Sequence, residues 1–328
     1  MSKQSSIKKI TSKFSIFFIL LVFMLVSTIL NPNFLTTGNL INILKQLVVP
    51  VLLAYGEMLL VVSGMIDLSS GSVLALSGVI SVICYKSTGS YTLCIAAALL
   101  VAVVCNLLNA GMVVHFKMPP FIATLAMQMI ARGLALNLTG GQNILQIGNY
   151  TVFGQGNLGP IPISVVIMLC STLLIYYLMR STQLGRSLYA IGGNEEAAIA
   201  SGISVKRNKY LVYVINGVLV GMAGILFMSR NNAGLPNGAI GYEMEGLTAT
   251  IVGGTSFTGG VGTTLGTFVG AVIIGVLNNI MNLLSVNSYI QQMIKGLIIA
   301  VAVISDIRSK SGVKKYTRKI RGETTTNE

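Results

Sequence analysis

Four charged side chains fall within or beside long apolar stretches, and they are the first candidates for chemistry: Glu57, Asp67, Arg132 and Lys295. A charged group is costly in lipid, so each of them should face protein or a water-filled cavity. Such residues either contact a transported solute or ion, or hold helices together through ion pairs and hydrogen bonds. The residues alone leave both interpretations open.

Three asparagines form a second polar group, late in the chain. Asn278 and Asn282 are four residues apart and share one face of an otherwise apolar helix, with Asn279 beside them. Amide groups on such a face can hydrogen-bond a hydroxylated solute or a neighbouring helix. The sequence favours these two interpretations equally.

Catalytic and metal chemistry have few candidates in this sequence. His115 is the only histidine, and the cysteines lie in or beside apolar runs without C-x-x-C spacing, so a metal site would lack ligands. The chain also has no G-x-x-x-x-G-K-[ST] phosphate loop. We expect no catalytic residue, metal or cofactor here, and we interpret the cysteines as packing residues (Cys84, Cys94, Cys105 and Cys170).

The composition places these side chains in a membrane. Of the 328 residues, 53% are hydrophobic and 9% charged, whereas a soluble domain carries about 25% charged residues. An ordinary soluble protein is therefore excluded. The net charge of +13 would suggest nucleic acid in a soluble protein; here we attribute it to membrane orientation and expect no nucleic-acid partner.

Apolar runs between polar breaks predict an all-α, polytopic integral membrane protein with about ten spans, interrupted or re-entrant in places. The segment 246–258 is too short and too rich in glycine to cross as a regular helix, so a re-entrant loop is its alternative. We treat residues 1–328 as a single transmembrane domain. The predicted spans are 14–30, 40–63, 69–85, 91–114, 121–138, 161–179, 211–229, 246–258, 264–284 and 289–305.

Basic residues predict how these spans are oriented. Seventeen of the 22 lysines and arginines fall on one predicted side, and three fall towards the other, one of them (Lys45) at the start of a span. Cytoplasmic loops carry the excess of Lys and Arg, so both termini should be cytoplasmic. The cytoplasmic parts are then an N-terminal tail (1–13), a long loop (180–210) and a basic C-terminal tail (306–328), with the membrane bundle at 14–305.

Glycine, serine and threonine interrupt two apolar stretches, at residues 63–72 and 253–262. Irregular backbone at membrane depth is tolerated only where it is buried in protein or lines a polar cavity. In transporters such interruptions indicate the solute pathway. The alternative is that both segments are ordinary loops at the membrane surface.

The long loop has the pattern of a short capped helix. Asn194 is a suitable N-cap, Glu195 and Glu196 fall in the first turn, where the helix dipole favours anions, and Gly202 is a natural stop. Such a helix, exposed between two spans, is either a docking element or an amphipathic connector.

Six short patterns occur in order between about residues 32 and 305. They are Ile66-Asp67-Leu68-Ser69 with Gly71-Ser72, Phe121-Ile122-Ala123-Thr124-Leu125 with Arg132-Gly133, Leu184-Gly185-Arg186 through Asn194, Ala197-Ala198 with Ser201-Gly202-Ile203, Gly253 to Ser256 with Gly259-Gly260, and Leu277-Asn278-Asn279 through Gln291. Together they resemble the ribose-type permease subunits of bacterial ABC sugar importers.

The resemblance implies a bacterial inner-membrane subunit that pairs with a second permease copy and docks on a cytoplasmic ABC ATPase. It further implies that an extracytoplasmic sugar-binding protein delivers the sugar, and that ATP and Mg belong to the ATPase. In such permeases a cytoplasmic loop with an E-A-A-x-x-x-G pattern seats in the ATPase, and Glu196 to Gly202 fits it. The residues assigned to this contact are Arg186, Asn194, Glu195, Glu196 and Gly202.

We therefore interpret the chain as the permease subunit of an importer for a monosaccharide, a ribose-like pentose or a related sugar. The alternative is a self-sufficient proton- or sodium-coupled secondary transporter, with Asp67 or Glu57 carrying the coupling ion. For the translocation pathway we predict four residues: Asp67, Asn278, Asn282 and Gln291.

Overall fold

Most of the described chain is helical. The computed structural model describes residues 3–320, with side chains described for residues 16–304. The predicted basic tails, 1–13 and 306–328, lie outside the residues with described side chains. Within the described range the α-helices are α1 (Lys3–Leu30), α2 (Thr37–Val62), α3 (Ser70–Thr88), α4 (Tyr91–Ala110), α5 (Pro120–Thr139), α6 (Val152–Gln155), α7 (Ile163–Ser181), α8 (Gln183–Gly193), α9 (Glu195–Ala200), α10 (Val205–Asn231), α11 (Tyr242–Val252), α12 (Thr264–Leu283) and α13 (Ser288–Ile320).

Short irregular elements connect these helices. A π-helical turn, Gly111–His115, extends α4, and a 3-10 turn, Gly148–Thr151, precedes α6. Four two-residue strands form two antiparallel pairs: β1 (Ile144–Leu145) with β4 (Ala233–Gly234), and β2 (Asn157–Leu158) with β3 (Ile161–Pro162).

Seven helices of the described range are long and apolar enough to cross a membrane: α2, α3, α4 with its π-helical extension, α5, α7, α10 and α12. Two further apolar stretches, Ile16–Leu30 and Ser288–Ile304, are the parts of α1 and α13 whose side chains are described. The all-helical membrane class is confirmed. The predicted count of about ten spans is not confirmed: among the residues with described side chains, seven helices have the length and hydropathy of a span, and the segment 246–258 does not form one.

Helix α2 is the central helix of the bundle. Every residue from Leu47 to Val62 is buried, and α2 packs against α7, α10, α11 and α12. A helix that is apolar on all sides belongs in a protein core or in a membrane, and here protein surrounds residues 47–62 completely. The helix ends at Val62, and the predicted break before the next span is confirmed because α3 begins at Ser70.

The bundle has two distinct ends. At one end, which we call the strand end, the four strands and α6 lie together, and the Ser229 hydroxyl at the end of α10 donates to the Tyr150 carbonyl at 2.8 Å. At the other, the α8–α9 end, helices α8 and α9 connect α7 to α10.

The segment 246–258 does not form the span drawn from the sequence. Helix α11 ends at Val252, and Gly254 and Gly259 follow with φ of +84° and +83°, which a regular helix cannot contain. Gly234 pairs with Ile144 at the strand end, whereas Gly260 lies against Gly192 at the α8–α9 end. Residues 235–259 therefore cross the bundle as an irregular segment followed by a half-helix.

Candidate functional site

The α8–α9 end has the capped geometry that the sequence predicts. The Asn194 side chain accepts a hydrogen bond from the Ala197 backbone N–H at 2.9 Å, so it caps α9. At the other end of α9, Gly202 has φ +79°, and the Ile203 N–H donates to the Ala198 carbonyl at 3.0 Å. This is a left-handed helix stop, which glycine adopts without strain.

The two glutamates at the start of α9 differ in what they contact. The Glu195 carboxylate forms an ion pair with Lys209 of α10 at 2.8 Å, which fixes α9 against the bundle. Glu196 is exposed and makes no ion pair with a described residue. Arg186 of α8 is exposed as well. Glu196 and Arg186 are therefore available for a partner.

Helix α8 packs directly on the end of α2 and on the glycine segment 253–262. The Gly260 N–H donates to the Val62 carbonyl at 2.8 Å. A Cβ at Gly192 would lie 1.8 Å from that carbonyl oxygen and 2.6 Å from the Gly260 nitrogen. We call this three-way backbone contact of Val62, Gly192 and Gly260 the glycine junction. Only glycine at position 192 permits it.

A tyrosine completes the contact between α8 and the glycine segment. The Tyr189 hydroxyl donates to the Gly262 carbonyl at 2.7 Å. Burial raises the pKa of Tyr189 above its usual range, so the hydroxyl keeps its proton and stays a donor. The junction is thus held by backbone packing and by two hydrogen bonds.

A cavity of about 540 Å³ lies among α11, α12 and α13. Apolar side chains such as Met244 and Ile274 form part of its wall. Its polar lining combines a carboxylate, an ammonium group, two amides and two hydroxyls: Glu245, Lys295, Gln291, Gln292, Thr248 and Ser288. A mixed wall of this kind suits an uncharged ligand that carries both hydroxyl groups and C–H faces.

An ion pair connects the helices around this cavity. Lys295 of α13 binds the Glu245 Oε1 of α11, and the Asn278 amide of α12 lies 3.5 Å from the same oxygen. Glu245 and Lys295 are mostly buried, with side-chain exposures of 11% and 30%. The three helices therefore meet at one carboxylate, which belongs to the half-helix α11.

Three of the four predicted pathway residues lie at this place. Gln291 lines the cavity, and its Nε2 donates to the Asn282 side-chain oxygen at 2.9 Å. Asn282 and Gln291 also line an adjoining open pocket of about 510 Å³. Asp67 lines neither cavity: it is fully buried and hydrogen-bonded within the bundle. Its part in a pathway stays a prediction.

Arg132 supports the irregular segment before α11. Its Nη1 donates to the carbonyl oxygens of Pro236, at 2.5 Å, and Gly238, at 2.8 Å. These carbonyls lack a helical partner, and an unsatisfied carbonyl at membrane depth is costly. On the same helix α5, Gln128 donates to Glu243 at 3.2 Å. Of the two interpretations of Arg132, the structure favours the one in which it holds the bundle together.

The sequence missed several residues of the site. Glu245 was not singled out because its charge lies just before the apolar run assigned to a span. The structural roles of Tyr189 and Gly192 follow only from their contacts with residues 62 and 260–262, which are distant in sequence. Among the described residues, no group of three or more His, Cys, Asp or Glu is placed to hold a metal ion.

Comparison with known proteins identifies the class of this chain. A family model described as "Branched-chain amino acid transport system / permease component" matches residues 39–303. No solved structure matches the chain.

Individual relatives are similar over nearly their whole length. The ribose import permease protein RbsC of Bacillus subtilis (strain 168) is 38% identical over 295 residues, which cover 89% of this chain and 91% of that protein. The D-allose transport system permease protein AlsC of Escherichia coli (strain K12) is 34% identical, with 90% and 91% covered. The L-arabinose transport system permease protein AraH of the same strain is 32% identical, with 94% of each covered. The chain therefore belongs to this permease family, among the sugar permease subunits of ABC importers.

Proposed function

We propose that this permease subunit carries a monosaccharide, a ribose-like pentose or a related sugar, through the cavity among α11, α12 and α13. Relatives named for ribose, allose and arabinose support a sugar of this size. The observation that carries the proposal is the polar lining around the Glu245–Lys295 ion pair, next to three of the predicted pathway residues. We assign Asn278, Asn282 and Gln291 to the pathway, and Asp67 remains a further candidate.

The α8–α9 end is the docking surface for a cytoplasmic ABC ATPase in this proposal. The capped α9, the exposed Glu196 and the exposed Arg186 support this assignment. Lysines and arginines concentrate on the same side, which supports a cytoplasmic position for this end and for both termini. ATP and Mg then belong to the ATPase.

The glycine junction transmits movement from the ATPase to the cavity. A push on α8 reaches the glycine segment through backbone contacts, because no flexible side chain lies between Gly192 and Gly260. Helix α11, which carries Glu245, leads directly into the glycine segment. A rigid-body shift of α8 would therefore displace α11 relative to α13 and open or close the cavity.

Two further partners belong to this proposal. An extracytoplasmic binding protein delivers the sugar at the strand end, and a second permease copy completes the membrane unit. The bacterial inner membrane is the expected location. Sugar recognition then rests mainly with the binding protein, so weak binding in the cavity is sufficient for transport.

The function is tested by reconstitution. The permease is purified from its native membrane with whatever ATPase remains attached, and is placed in liposomes with its binding protein and ATP. We expect uptake of one of ribose, allose and arabinose to require both ATP and the binding protein. Uptake driven by a proton or sodium gradient without the ATPase would contradict the proposal and favour a secondary transporter.

A further inference from the structure

Glu57 and Asp67 form an acidic pair deep in the bundle, apart from both cavities. Both side chains have no solvent exposure. Glu57 belongs to α2, and Asp67 lies in the connection between α2 and α3. The Ser70 hydroxyl lies between them, 3.3 Å from Glu57 Oε1 and 3.1 Å from Asp67 Oδ2. Neither carboxyl group forms an ion pair with a described lysine or arginine.

Asp67 has the surroundings of an ionised carboxylate. Its Oδ1 accepts hydrogen bonds from the backbone N–H and the hydroxyl of Ser69, at 2.8 and 2.5 Å. Its Oδ2 accepts from the Asn216 amide at 2.7 Å. Three donors directed at two oxygens satisfy an anion, which only accepts hydrogen bonds.

Glu57 has much poorer donors. Its Oε2 is 3.4 Å from the Asp67 backbone N–H, and its Oε1 reaches only the Ser70 hydroxyl. Ser70 has a single hydroxyl hydrogen, so it can donate to one of the two carboxyl groups and not to both. When it donates to Asp67, the closer of the two, its contact with Glu57 requires a hydrogen from Glu57 itself.

The rest of the network also lacks hydrogen-bond donors for some of its acceptors. Asn109 donates to the Ser69 hydroxyl at 2.9 Å, and Asn216 donates to Asp67 and to the Asn106 side-chain oxygen. Three side-chain groups around the pair are buried without a hydrogen-bond partner: the Asn109 oxygen, the Asn216 oxygen and the Tyr213 hydroxyl. Two of these three can only accept a hydrogen bond. An additional hydrogen is therefore easier to accommodate here than an additional acceptor.

The groups that face the pair supply no positive charge. Cys105 faces it from α4, Tyr213 from α10 and Glu243 from α11. Arg132 lies beyond Glu243 and binds backbone carbonyls. A carboxylate buried without a cation is so costly that the group takes up a proton instead.

We propose that Glu57 and Asp67 form a binding site for one proton, held on Glu57 and shared with Asp67 through the Ser70 hydroxyl. The proton is taken from water and returned to it as a simple association with the Glu57 carboxylate. In the protonated state the pair ties α2 to the following connection and to the start of α3. Without the proton, two like charges face each other across one hydroxyl and push these elements apart.

The test compares two amide variants of the permease in lipid nanodiscs, Glu57→Gln and Asp67→Asn. Glutamine keeps a hydrogen to donate to Ser70, so Glu57→Gln should fold and should lose the infrared carbonyl band of a buried carboxylic acid. Asp67→Asn replaces an acceptor oxygen with a donor, so its folding equilibrium constant should fall by about tenfold or more.

Thermal unfolding as a function of pH provides the second readout. The native state of the wild type holds a proton that the unfolded chain releases, so its stability should fall as pH rises, by up to about tenfold in the folding constant per pH unit. Glu57→Gln should remove this dependence. Three results would overturn the proposal: an unfolded Glu57→Gln, an unchanged infrared band in that variant, or stabilisation of the wild type by sodium that Glu57→Gln abolishes.

Discussion

Replacing Gly192 with alanine tests whether movement of α8 is transmitted through the glycine junction to α11. The new Cβ would lie 1.8 Å from the Val62 carbonyl oxygen, whereas ordinary contacts begin at 3.4 Å, so α8 must withdraw by about 1.6 Å. The Val62 carbonyl cannot turn away freely, because it also accepts the Gly260 N–H. Both obstructing groups are backbone. The substitution should therefore separate α8 from the glycine segment.

The size of the effect follows from the cost of overpacking. Forcing one methyl group into such a contact costs about 1–3 kcal/mol, which lowers the population of the docked arrangement by about 5- to 150-fold. Sugar uptake and ATP hydrolysis are measured together in liposomes that contain the complete importer. We expect the sugar transported per ATP hydrolysed to fall at least about fivefold while hydrolysis continues.

The neighbouring glycine provides a matched control. A Cβ at Gly193 would meet nothing within 4 Å, and alanine favours a helix over glycine by about 1 kcal/mol. Gly193→Ala should therefore transport sugar as the wild type does. Equal losses in the two variants, or an unchanged ratio in Gly192→Ala, would refute the proposed role of the junction.

Three further substitutions test other parts of the site. Glu196→Arg reverses an exposed charge and should weaken binding of the ATPase by about tenfold or more in a pull-down; unchanged binding would remove Glu196 from the contact. Lys295→Glu should reduce sugar uptake by about tenfold or more because two carboxylates then face each other in a mostly buried site, and the double exchange with Glu245→Lys should restore much of it. If the double exchange transports no better than the single one, loss of the ion pair does not explain the reduced uptake. Arg132→Met leaves two backbone carbonyls without their donor, at about 1–3 kcal/mol each, and should lower the unfolding temperature in detergent; an unfolding temperature equal to that of the wild type would mean that water satisfies both carbonyls.

Local features of this chain were predictable from the sequence. The Asn194 cap joins residues only three apart, and the stop at Gly202 depends on a single backbone angle. Such interactions follow from residue type and spacing. The helix periodicity likewise put Asn278 and Asn282 on one face, and both lie at the cavity region.

Interactions between distant segments were not predictable in this way. The Tyr189 hydroxyl bonds a carbonyl 73 residues away, and Gly192 fits against Val62 only because two helix ends and a loop converge. The half-helix α11 was displaced in the prediction because Glu243 and Glu245 lower the hydropathy of its first turn, which shifted the assigned span towards the glycines. Its true start depends on Arg132 and Gln128 of α5.

In the proposed mechanism α8 and α11 move together, while α11 moves relative to α13. Spin labels on cysteines introduced at Gly193, Met244 and Met293, with the natural cysteines replaced, would report two distances in the complete importer with and without bound ATP. We expect the distance between residues 193 and 244 to stay constant and the distance between residues 244 and 293 to change. A constant distance between 244 and 293, with a change between 193 and 244, would contradict it.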